Sequence, residues 1–494
     1  MNSEAEAWRL LQGCEIGSCD PLADAVLRHE EARQRDKLIL IPSESMAPLA
    51  VRAALGSVFT NLYAEGYPAL RTLLDDEELL ADLEMQAALH RRYADRRYYK
   101  GTEFADLVET LAARRVAQLF ATDGDPAHGA PVRAEEIHAN VQALSGAAAN
   151  NAAYEACLEP GDTIMGMSLS HGGHLTHGSP YNRSGRYYRV VSYGVSADTG
   201  RLDYGEIERQ ALECKPKLIV AGASAYPWDI DWRRLRQIAD QVPGRAYLMA
   251  DIAHPAGLVV AGLFPNPIGY ADVVTFTTHK TLIGPRGAVI LCTDEALGRR
   301  IDRAVFPGEQ GGPHMNNIAA MAVAFKIAQT AAFRALQRRI VDNAVALARG
   351  LRERGLRLAY GGTNTHLLLI DLNAVKTASG VPLKGDVVAR ILDLCGVVCN
   401  KNTIPGDLTA AHSSAIRLGT VWVSQRGLDQ RHMDRLAGVI QSVVDGIQTF
   451  RYAGSGGSLW RGKIELPTLR EASAEVRRIV VEADGVAGLQ AAQP

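Results

Sequence analysis

The sequence predicts an α/β fold in which a mostly parallel sheet is flanked by helices, with a smaller α/β domain towards the C-terminal end. The first observation is that short β-branched apolar runs alternate with segments of helical period in the middle of the chain. The second is length, because 494 residues, 47% of them hydrophobic, can bury two or three cores. The predicted strands are 162–167, 218–222, 247–251, 273–278 and 288–291, with a crossover helix at 232–239.

The residue composition of the chain changes after about residue 317. A stretch rich in Ala, Leu and Arg at 318–352 predicts long amphipathic helices. A second αβ unit follows, with a strand at 365–372 and a helix at 385–394, and after residue 453 a GSGGS run predicts a flexible break before a charged helical stretch. We therefore predict an N-terminal arm (1–36), a large domain (37–325), a small C-terminal α/β domain (326–452) and a tail (453–494).

Charge and cysteine usage narrow the class of partner. The 53 Lys and Arg nearly balance the 55 Asp and Glu, so no overall field attracts nucleic acid or an acidic membrane. The seven cysteines are scattered and form no CxxC pair, which favours reduced thiols in a cytoplasmic protein. The N-terminal segment resembles no signal peptide, and no apolar run approaches the roughly 20 residues of a membrane span. We expect a small-molecule partner.

Lys280 gives the clearest chemical signal. It ends the apolar run VVTFTTHK and is followed by a Gly-Pro turn. A lysine amine that is desolvated at the end of a strand can act as a neutral nucleophile and form a Schiff base. A lysine that only closes a strand and reaches water is the alternative for such a residue taken alone.

Asp251 ends another predicted strand, at the edge where open α/β sheets bind ligands. A carboxylate there can keep the pyridine nitrogen of pyridoxal phosphate (PLP) protonated, which makes the ring an electron sink. Taken alone, Asp251 could equally cap a helix. Because Asp251 and Lys280 end separate strands of one predicted sheet, together they indicate a PLP site.

Two further segments fit such a site. The small-residue turn at 145–151 opens a helix, where backbone amides can approach a phosphate. The segment containing His171 and His174 could place an imidazole over a flat ring or could bind a metal. No third ligand stands at a fitting spacing, so we expect no metal.

Nine ordered blocks carry a resemblance to a known family. The sequence resembles serine hydroxymethyltransferase (glycine hydroxymethyltransferase), a fold-type I PLP-dependent transferase with the aspartate aminotransferase-like fold, over about residues 37–445. The blocks are LIPSES, TNLYAEGYP, RRYYKGTEFAD, LSHGGHLTHGSP, ASAYP, MADIAHPAGLVVAG, VVTFTTHKTLIGPRGA, FPGEQGGP and IRLGT.

The resemblance implies roles for residues around the cofactor. Lys280 would carry PLP, Asp251 would pair with the pyridine nitrogen and His174 would stack on the ring. Ser224 and His254 would contact PLP on the side that carries its phenolic oxygen. A further set would hold the phosphate: Ser145, Gly146, Ala147, Tyr63, His279, Gly311 and Gly312. Of these, Tyr63, Gly311 and Gly312 would come from a neighbouring subunit of a homodimer or dimer of dimers. His279 also counts among the predicted catalytic residues.

The resemblance also implies an activity, the reversible transfer of the serine hydroxymethyl group to tetrahydrofolate, giving glycine and 5,10-methylenetetrahydrofolate. Arg417 would bind the substrate carboxylate, helped by Ser43, Tyr99 and His254. Glu65 would be the proton-transfer carboxylate. The predicted folate contacts are Glu65, Tyr98, Leu169, Gly173, Leu175, Phe306 and Asn402.

The chain departs from the family pattern at three places. Ala147 replaces the second serine of the phosphate turn, and a hydrogen bond to a charged group is worth roughly 1.5–3 kcal/mol. Residues 69–96 stand where the family has about two, and the spacing of Leu73, Leu80, Leu83 and Ala87 predicts an extra amphipathic helix near the subunit interface and the site's mouth. The segment 408–414 lacks a Ser-Pro-Phe that contacts the pterin.

Two other functions therefore stay open. One is a folate-independent aldolase or transaldolase that acts on threonine, α-methylserine or another β-hydroxy amino acid, since a fold does not settle a function. The other is a binding or regulatory relative without a cofactor, against which the joint presence of Lys280, Asp251, His174 and Arg417 argues.

Overall fold

A computed structural model of the chain describes residues 13–124, 130–375, 377, 379–409, 412–454 and 457–487. The helices are α1 (Ile16–Cys19), α2 (Pro21–Asp36), α3 (Leu49–Leu55), α4 (Glu77–Leu80), α5 (Leu83–Tyr93), α6 (Glu103–Phe120), α7 (Gly146–Cys157), α8 (Arg183–Tyr187), α9 (Tyr204–Cys214), α10 (Trp232–Gln241), α11 (Ala256–Val260), α12 (Glu295–Arg303), α13 (Met315–Ala328), α14 (Ala331–Glu353), α15 (Gly385–Leu394), α16 (Val421–Gln425), α17 (Gln430–Gly446) and α18 (Leu466–Ala487). The strands are β1 (Leu38–Ile39), β2 (His138–Asn140), β3 (Thr163–Met167), β4 (Arg189–Tyr193), β5 (Leu218–Gly222), β6 (Tyr247–Asp251), β7 (Val273–Thr277), β8 (Ala288–Cys292), β9 (Leu367–Asp371), β10 (Val397–Val398), β11 (Asn400–Asn402), β12 (Ala415–Gly419), β13 (Gln448–Gly454) and β14 (Gly457–Lys463).

Seven strands form the main sheet, in the order β2-β8-β7-β6-β5-β3-β4. Strands β3 to β7 pair in parallel, whereas β8 runs antiparallel to both of its neighbours. The prediction of a mostly parallel sheet flanked by helices is confirmed. Strands β2 and β4 were not predicted, because β2 has only three residues and β4, at the sheet edge, includes the polar residues Arg189 and Ser192.

The main sheet is covered on both faces. Successive side chains of a strand point to opposite faces, and in β7 Val274 and Phe276 belong to one buried cluster while Val273 belongs to another. Phe120 of α6 stacks on Phe276, with ring centroids 4.7 Å apart. Burial on both faces explains why the parallel strands read as continuous apolar runs in the sequence.

A separate core lies around a three-stranded antiparallel sheet in the order β11-β12-β9. Helix α15 has the bounds predicted for it, and the predicted stretch 318–352 is two helices, α13 and α14. The predicted boundary at residue 37 placed β1 in the large domain, whereas Leu38 and Leu40 pack in this core because β1 pairs with β10. The other predicted domain boundaries stay a prediction.

The tail is part of the second core. Strands β13 and β14 pair as a hairpin. Part of the GSGGS run lies outside the described residues, so the predicted flexible break stays a prediction. Helix α18 then packs on α17 with Val476 and Ile479 buried. Arg435 of α17 bonds Glu475 of α18 at 2.6 Å.

The segment 69–96 contains two short helices, α4 and α5, where one amphipathic helix was predicted. Asp76 accepts a hydrogen bond from the Leu79 amide, and Asp82 accepts one from the Met85 amide, so each helix has its own N-cap. The break changes the helical phase: Leu80 is buried, but Leu83 is 52% exposed.

No single helix in the described part of the chain is both long and apolar enough to cross a membrane. Helices α13 and α14 reach that length and composition only as a pair, across a bend of 82°.

Replacing Ile479 tests the packing of the tail. Ile479→Ala removes a fully buried side chain from α18, so we expect a loss of about 2–5 kcal/mol and a lower thermal midpoint. Val481→Ala on the same helix is the control, because Val481 is 71% exposed and its truncation should change stability by less than about 0.5 kcal/mol. Equal thermal midpoints for the two variants would show that α18 does not pack as described.

Candidate active site

The predicted site residues of the main sheet follow the carboxyl ends of neighbouring parallel strands. Asp251 ends β6, and Lys280 comes three residues after β7. His174 follows β3, and Ser224 follows β5. The parallel register brings these ends to one edge of the sheet, as the sequence predicted.

Asp251 lies at the centre of a hydrogen-bond network. Its Oδ2 accepts from Nε2 of His177 and from Nδ2 of Asn150, both at 2.9 Å. Its Oδ1 accepts from the Ala253 amide at 3.0 Å. Asn150 is itself held in place, because its Oδ1 accepts from the hydroxyl of Thr275 at 2.7 Å. Neither His177 nor Asn150 was predicted to contribute to the site.

This network keeps Asp251 ionised. Burial alone would raise the pKa of Asp251, but the hydrogen bonds from His177 and Asn150 outweigh it and hold the pKa below its usual range. Burial lowers the pKa of His174 to about 4, so its ring is neutral at neutral pH. Nδ1 of His174 lies 2.8 Å from the Thr176 hydroxyl, which fixes the ring. An ionised carboxylate beside a neutral imidazole fits a protonated pyridine ring.

Lys280 is partly buried and has an unusual charge environment. Burial lowers the pKa of its amine to about 8 from an ordinary 10.5. Asp251 opposes this shift, while Arg417 and Arg286 reinforce it. About a tenth of the amine is therefore neutral at pH 7, far more than for an ordinary lysine, and a Schiff-base lysine needs this neutral form.

Arg417 lies in the middle strand of the small sheet and faces the end of β5. Its Nη1 donates to the carbonyl oxygen of Ser224 at 2.5 Å, and its Nε donates to Oδ1 of Asn400 at 3.2 Å. Among the residues that the structure describes, no carboxylate pairs with this guanidinium, and burial lowers its pKa to about 10. A largely desolvated cation without an anion is a binding site for a carboxylate ligand.

His254 is paired with His366, a residue that was not predicted. Their rings stack with centroids 5.4 Å apart, and Nδ1 of His254 lies 3.2 Å from Nε2 of His366. Burial lowers both pKa values, that of His366 to about 3, so both rings are neutral. Nδ1 of His366 is buried and has no partner in the described part of the chain, and an orphaned acceptor is tolerated better than an orphaned donor. We infer that His366 donates to His254, which leaves His254 with its proton on Nε2.

The predicted phosphate turn opens α7. Ser145 caps the helix by accepting from the Ala148 amide at 3.3 Å. A Cβ on Gly146 would lie 2.8 Å from Cγ2 of Thr277, so glycine lets the helix start pack against the end of β7. Burial lowers the pKa of nearby His279 to about 3, and its buried Nδ1 has no partner among the described residues. These groups fit a phosphate at the helix N-terminus.

A second group of predicted residues gathers around Glu65. The hydroxyl of Tyr63 donates to Oε1 of Glu65 at 3.2 Å, and the hydroxyl of Tyr99 lies 3.5 Å from Oε2. A Cβ on Gly312 would lie 3.0 Å from the Tyr63 ring, and one on Gly311 would lie 3.3 Å from Oε1 of Glu65. The structure therefore brings Tyr63, Glu65, Tyr99 and the glycine turn together in one chain.

The predicted folate contacts divide between two places. The ring of Tyr98 packs edge-to-face on Phe306 with centroids 5.9 Å apart, beside the Glu65 group. The carbonyl oxygen of Leu169 lies 3.3 Å from the hydroxyl of Thr403, next to Asn402. The remaining two predicted contacts, Gly173 and Leu175, are in the same loop as Leu169. No contact between Ser43 and another described residue identifies its role.

Three potential metal ligands also lie close together. Ligand atoms of His174, His177 and Asp251 are within 4.8 Å of one another. The hydrogen bond between His177 and Asp251 already satisfies two of them, so their proximity is explained without an ion. The expectation that no metal binds stays a prediction.

The pKa of Lys280 can be measured by recombining the cofactor-free protein with PLP. Because only the neutral amine attacks the aldehyde, the rate at which the visible absorption band forms should rise about tenfold per pH unit and level off near pH 8. The same series with Nα-acetyllysine corrects for the titration of PLP, and Lys280→Ala should give no band at any pH. A plateau only above pH 10 would contradict the effect of burial.

Arg417→Lys tests carboxylate binding, because lysine keeps the charge but lacks the two-point fork. We expect glycine to bind about 10- to 100-fold more weakly in a spectral titration, with the cofactor band unchanged. Arg390→Lys, on the exposed face of α15, is the control. Equal glycine affinities of the two variants would exclude Arg417 as the carboxylate site.

A family model described as serine hydroxymethyltransferase matches residues 16–84 and 83–440, which is most of the chain. The two matched stretches overlap at residues 83–84, inside the segment 69–96. The chain therefore belongs to the serine hydroxymethyltransferase family.

Proposed function

We propose that the chain transfers the hydroxymethyl group of serine to tetrahydrofolate, giving glycine and 5,10-methylenetetrahydrofolate. Membership of the family makes the chain a PLP-dependent enzyme of the fold-type I class. The observation that carries the substrate class is the guanidinium of Arg417, which lacks a carboxylate partner among the described residues and faces the strand ends that hold Lys280 and Asp251.

The residues present fit the cofactor. Lys280 would carry PLP, Asp251 would hold the proton on the pyridine nitrogen, and the start of α7 with His279 would hold the phosphate. When bound, PLP withdraws electrons from the α-carbon of an amino acid attached to it. The neutral ring of His174 suits a position against the flat face of the cofactor.

The protein's own contribution is orientation and proton transfer. Arg417 fixes the substrate carboxylate and so decides which bond of the α-carbon stands perpendicular to the ring. Glu65, held by the hydroxyls of Tyr63 and Tyr99, would take or give a proton at the substrate hydroxyl. Neutral His254, with Nε2–H as a donor, would help to hold the substrate or the cofactor oxygen.

We also propose that the working form has at least two copies of the chain. Tyr63 and Tyr99 are 57% and 43% exposed although they hold Glu65. The structure packs Tyr63 and Gly312 against each other, so a subunit that supplies this tyrosine and the glycines to a neighbour's cofactor also supplies Glu65. The free thiols are consistent with a cytoplasmic location, which stays a proposal.

Serine cleavage with and without tetrahydrofolate tests the proposed reaction. We expect folate to raise the rate of glycine formation from serine by about 100-fold, since a bound acceptor nitrogen captures the one-carbon unit at high effective concentration. Cleavage of allo-threonine, which has no hydroxymethyl group to pass on, is the control and should not respond to folate.

An unchanged serine rate would contradict the proposal. It would favour the alternative function, a folate-independent aldolase, which the altered sequence of the segment 408–414 leaves as a candidate. Including α-methylserine in the panel identifies the substrate in that case.

A further inference from the structure

A buried ionic cluster joins the segment 69–96 to the loop that carries Glu65. We call it the Arg97 cluster, and its members come from four parts of the chain. The side chain of Arg97 is completely buried, and the other members are less than a tenth exposed: His90, Asp106, Glu109 and Gln142.

The guanidinium of Arg97 uses its donors in two directions. Nε donates to Oδ1 of Asp106 at 2.7 Å, and Nη2 donates to Oε2 of Glu109 at 2.6 Å. Nη1 donates to the backbone carbonyls of Ala64 and Gly66, each at 2.8 Å. These two carbonyls flank Glu65, the proposed proton-transfer residue. The carboxylates of Asp106 and Glu109 therefore orient the Arg97 guanidinium, which in turn fixes the backbone on both sides of Glu65.

Backbone hydrogen bonds also restrict the loop that carries Glu65. The Tyr98 amide donates to the Glu65 carbonyl and the Tyr67 amide donates to the Arg96 carbonyl, both at 3.1 Å. Gly66 has φ +101°, and a Cβ there would lie 2.0 Å from the Arg96 carbonyl oxygen. A small rotation of Arg97 must therefore move the Glu65 backbone.

His90 is the member that the segment 69–96 supplies. It lies in α5, and its Nδ1 is 2.9 Å from Oδ2 of Asp106. Its Nε2 is 3.5 Å from the hydroxyl of Thr102, a longer contact. Within the cluster, two carboxylates share one guanidinium, so the imidazole N–H is an important second donor to Asp106.

We propose that His90 is a positioning residue, through which the segment 69–96 sets the location of Glu65 by way of Asp106 and Arg97. The proposal rests on the role proposed for Glu65. It gives a function to the segment 69–96, which adds a donor behind the active-site loop without touching substrate.

Two variants with the same amide group at different reach separate this role from simple packing. Asn places its amide nitrogen where Nδ1 of His90 stands, so His90→Asn keeps the donor to Asp106. Gln places its amide nitrogen where Nε2 stands, so His90→Gln loses that donor while remaining polar. Arg92→Ala, on the exposed side of α5, controls for changes to the helix itself.

Hydrogen exchange of the PLP-loaded protein without substrate reports the loop directly. We expect His90→Gln to speed exchange about tenfold in peptides covering 63–68 and 96–99, with His90→Asn and Arg92→Ala close to the unsubstituted protein. With serine and tetrahydrofolate, kcat should fall about tenfold in His90→Gln, with KM for serine within about twofold and kcat largely retained in His90→Asn.

Each outcome decides between the two proposals. Unchanged exchange in His90→Gln, or equal acceleration in the Asn and Gln variants, would overturn the positioning role. Faster exchange with an unchanged kcat would support the link from His90 to the loop and contradict the role of Glu65. Absence of any folate-dependent turnover in the unsubstituted protein would contradict the proposed function while leaving the exchange result to stand alone.

Discussion

The ionised carboxylate of Asp251 is the interaction on which the rest of the site depends. A buried carboxylate without partners would take up a proton, and it could then no longer stabilise a positive charge on a ring nitrogen. Three donors prevent this, from His177, Asn150 and the Ala253 amide. The Ala253 amide is local, but His177 follows β3 and Asn150 lies in α7, so the main sheet has to be correctly assembled before Asp251 can hold its charge.

The charges around Lys280 also explain what kind of ligand the site attracts. Arg417 and Arg286 are the cations that act on the Lys280 amine, and Asp251 is the opposing anion. Burial is the main cause of the lowered pKa of Lys280, and the two cations add to it. The same cations favour ligands that carry a phosphate and a carboxylate. A PLP-bound amino acid carries both. The two arginines therefore act both on the nucleophile and on the ligand.

The sequence predicted the strands and the residues at their ends because both follow from local pattern. Strands β5 and β6 have the predicted bounds, since a parallel strand buried on both faces reads as a short apolar run. Partners that meet only through tertiary packing were missed. His366 lies 112 residues from His254, and no periodicity links them. His177 stood inside a recognised block, and its spacing from His174 was the available signal.

The segment 69–96 was harder to interpret for a physical reason. Its leucine spacing predicted one helix, but a capping aspartate, Asp82, restarts the helix and changes which side chains face inward. His90 was also invisible as a site residue, because a histidine on a helix reads the same whether it faces solvent or a buried carboxylate. Only the position of Asp106 on α6 distinguishes these cases.

The two halves of the site differ in how they are held. The Lys280 half is fixed by the main sheet, whose strand ends cannot move independently. The Glu65 half is a pair of loops, and its order depends on one guanidinium that spans two backbone carbonyls and two carboxylates. In the proposed assembly, these loops meet the cofactor of a neighbouring copy. A rigid connection within one chain would then determine geometry across the interface, which explains why a completely buried ion pair lies behind residues as exposed as Tyr63 and Tyr99.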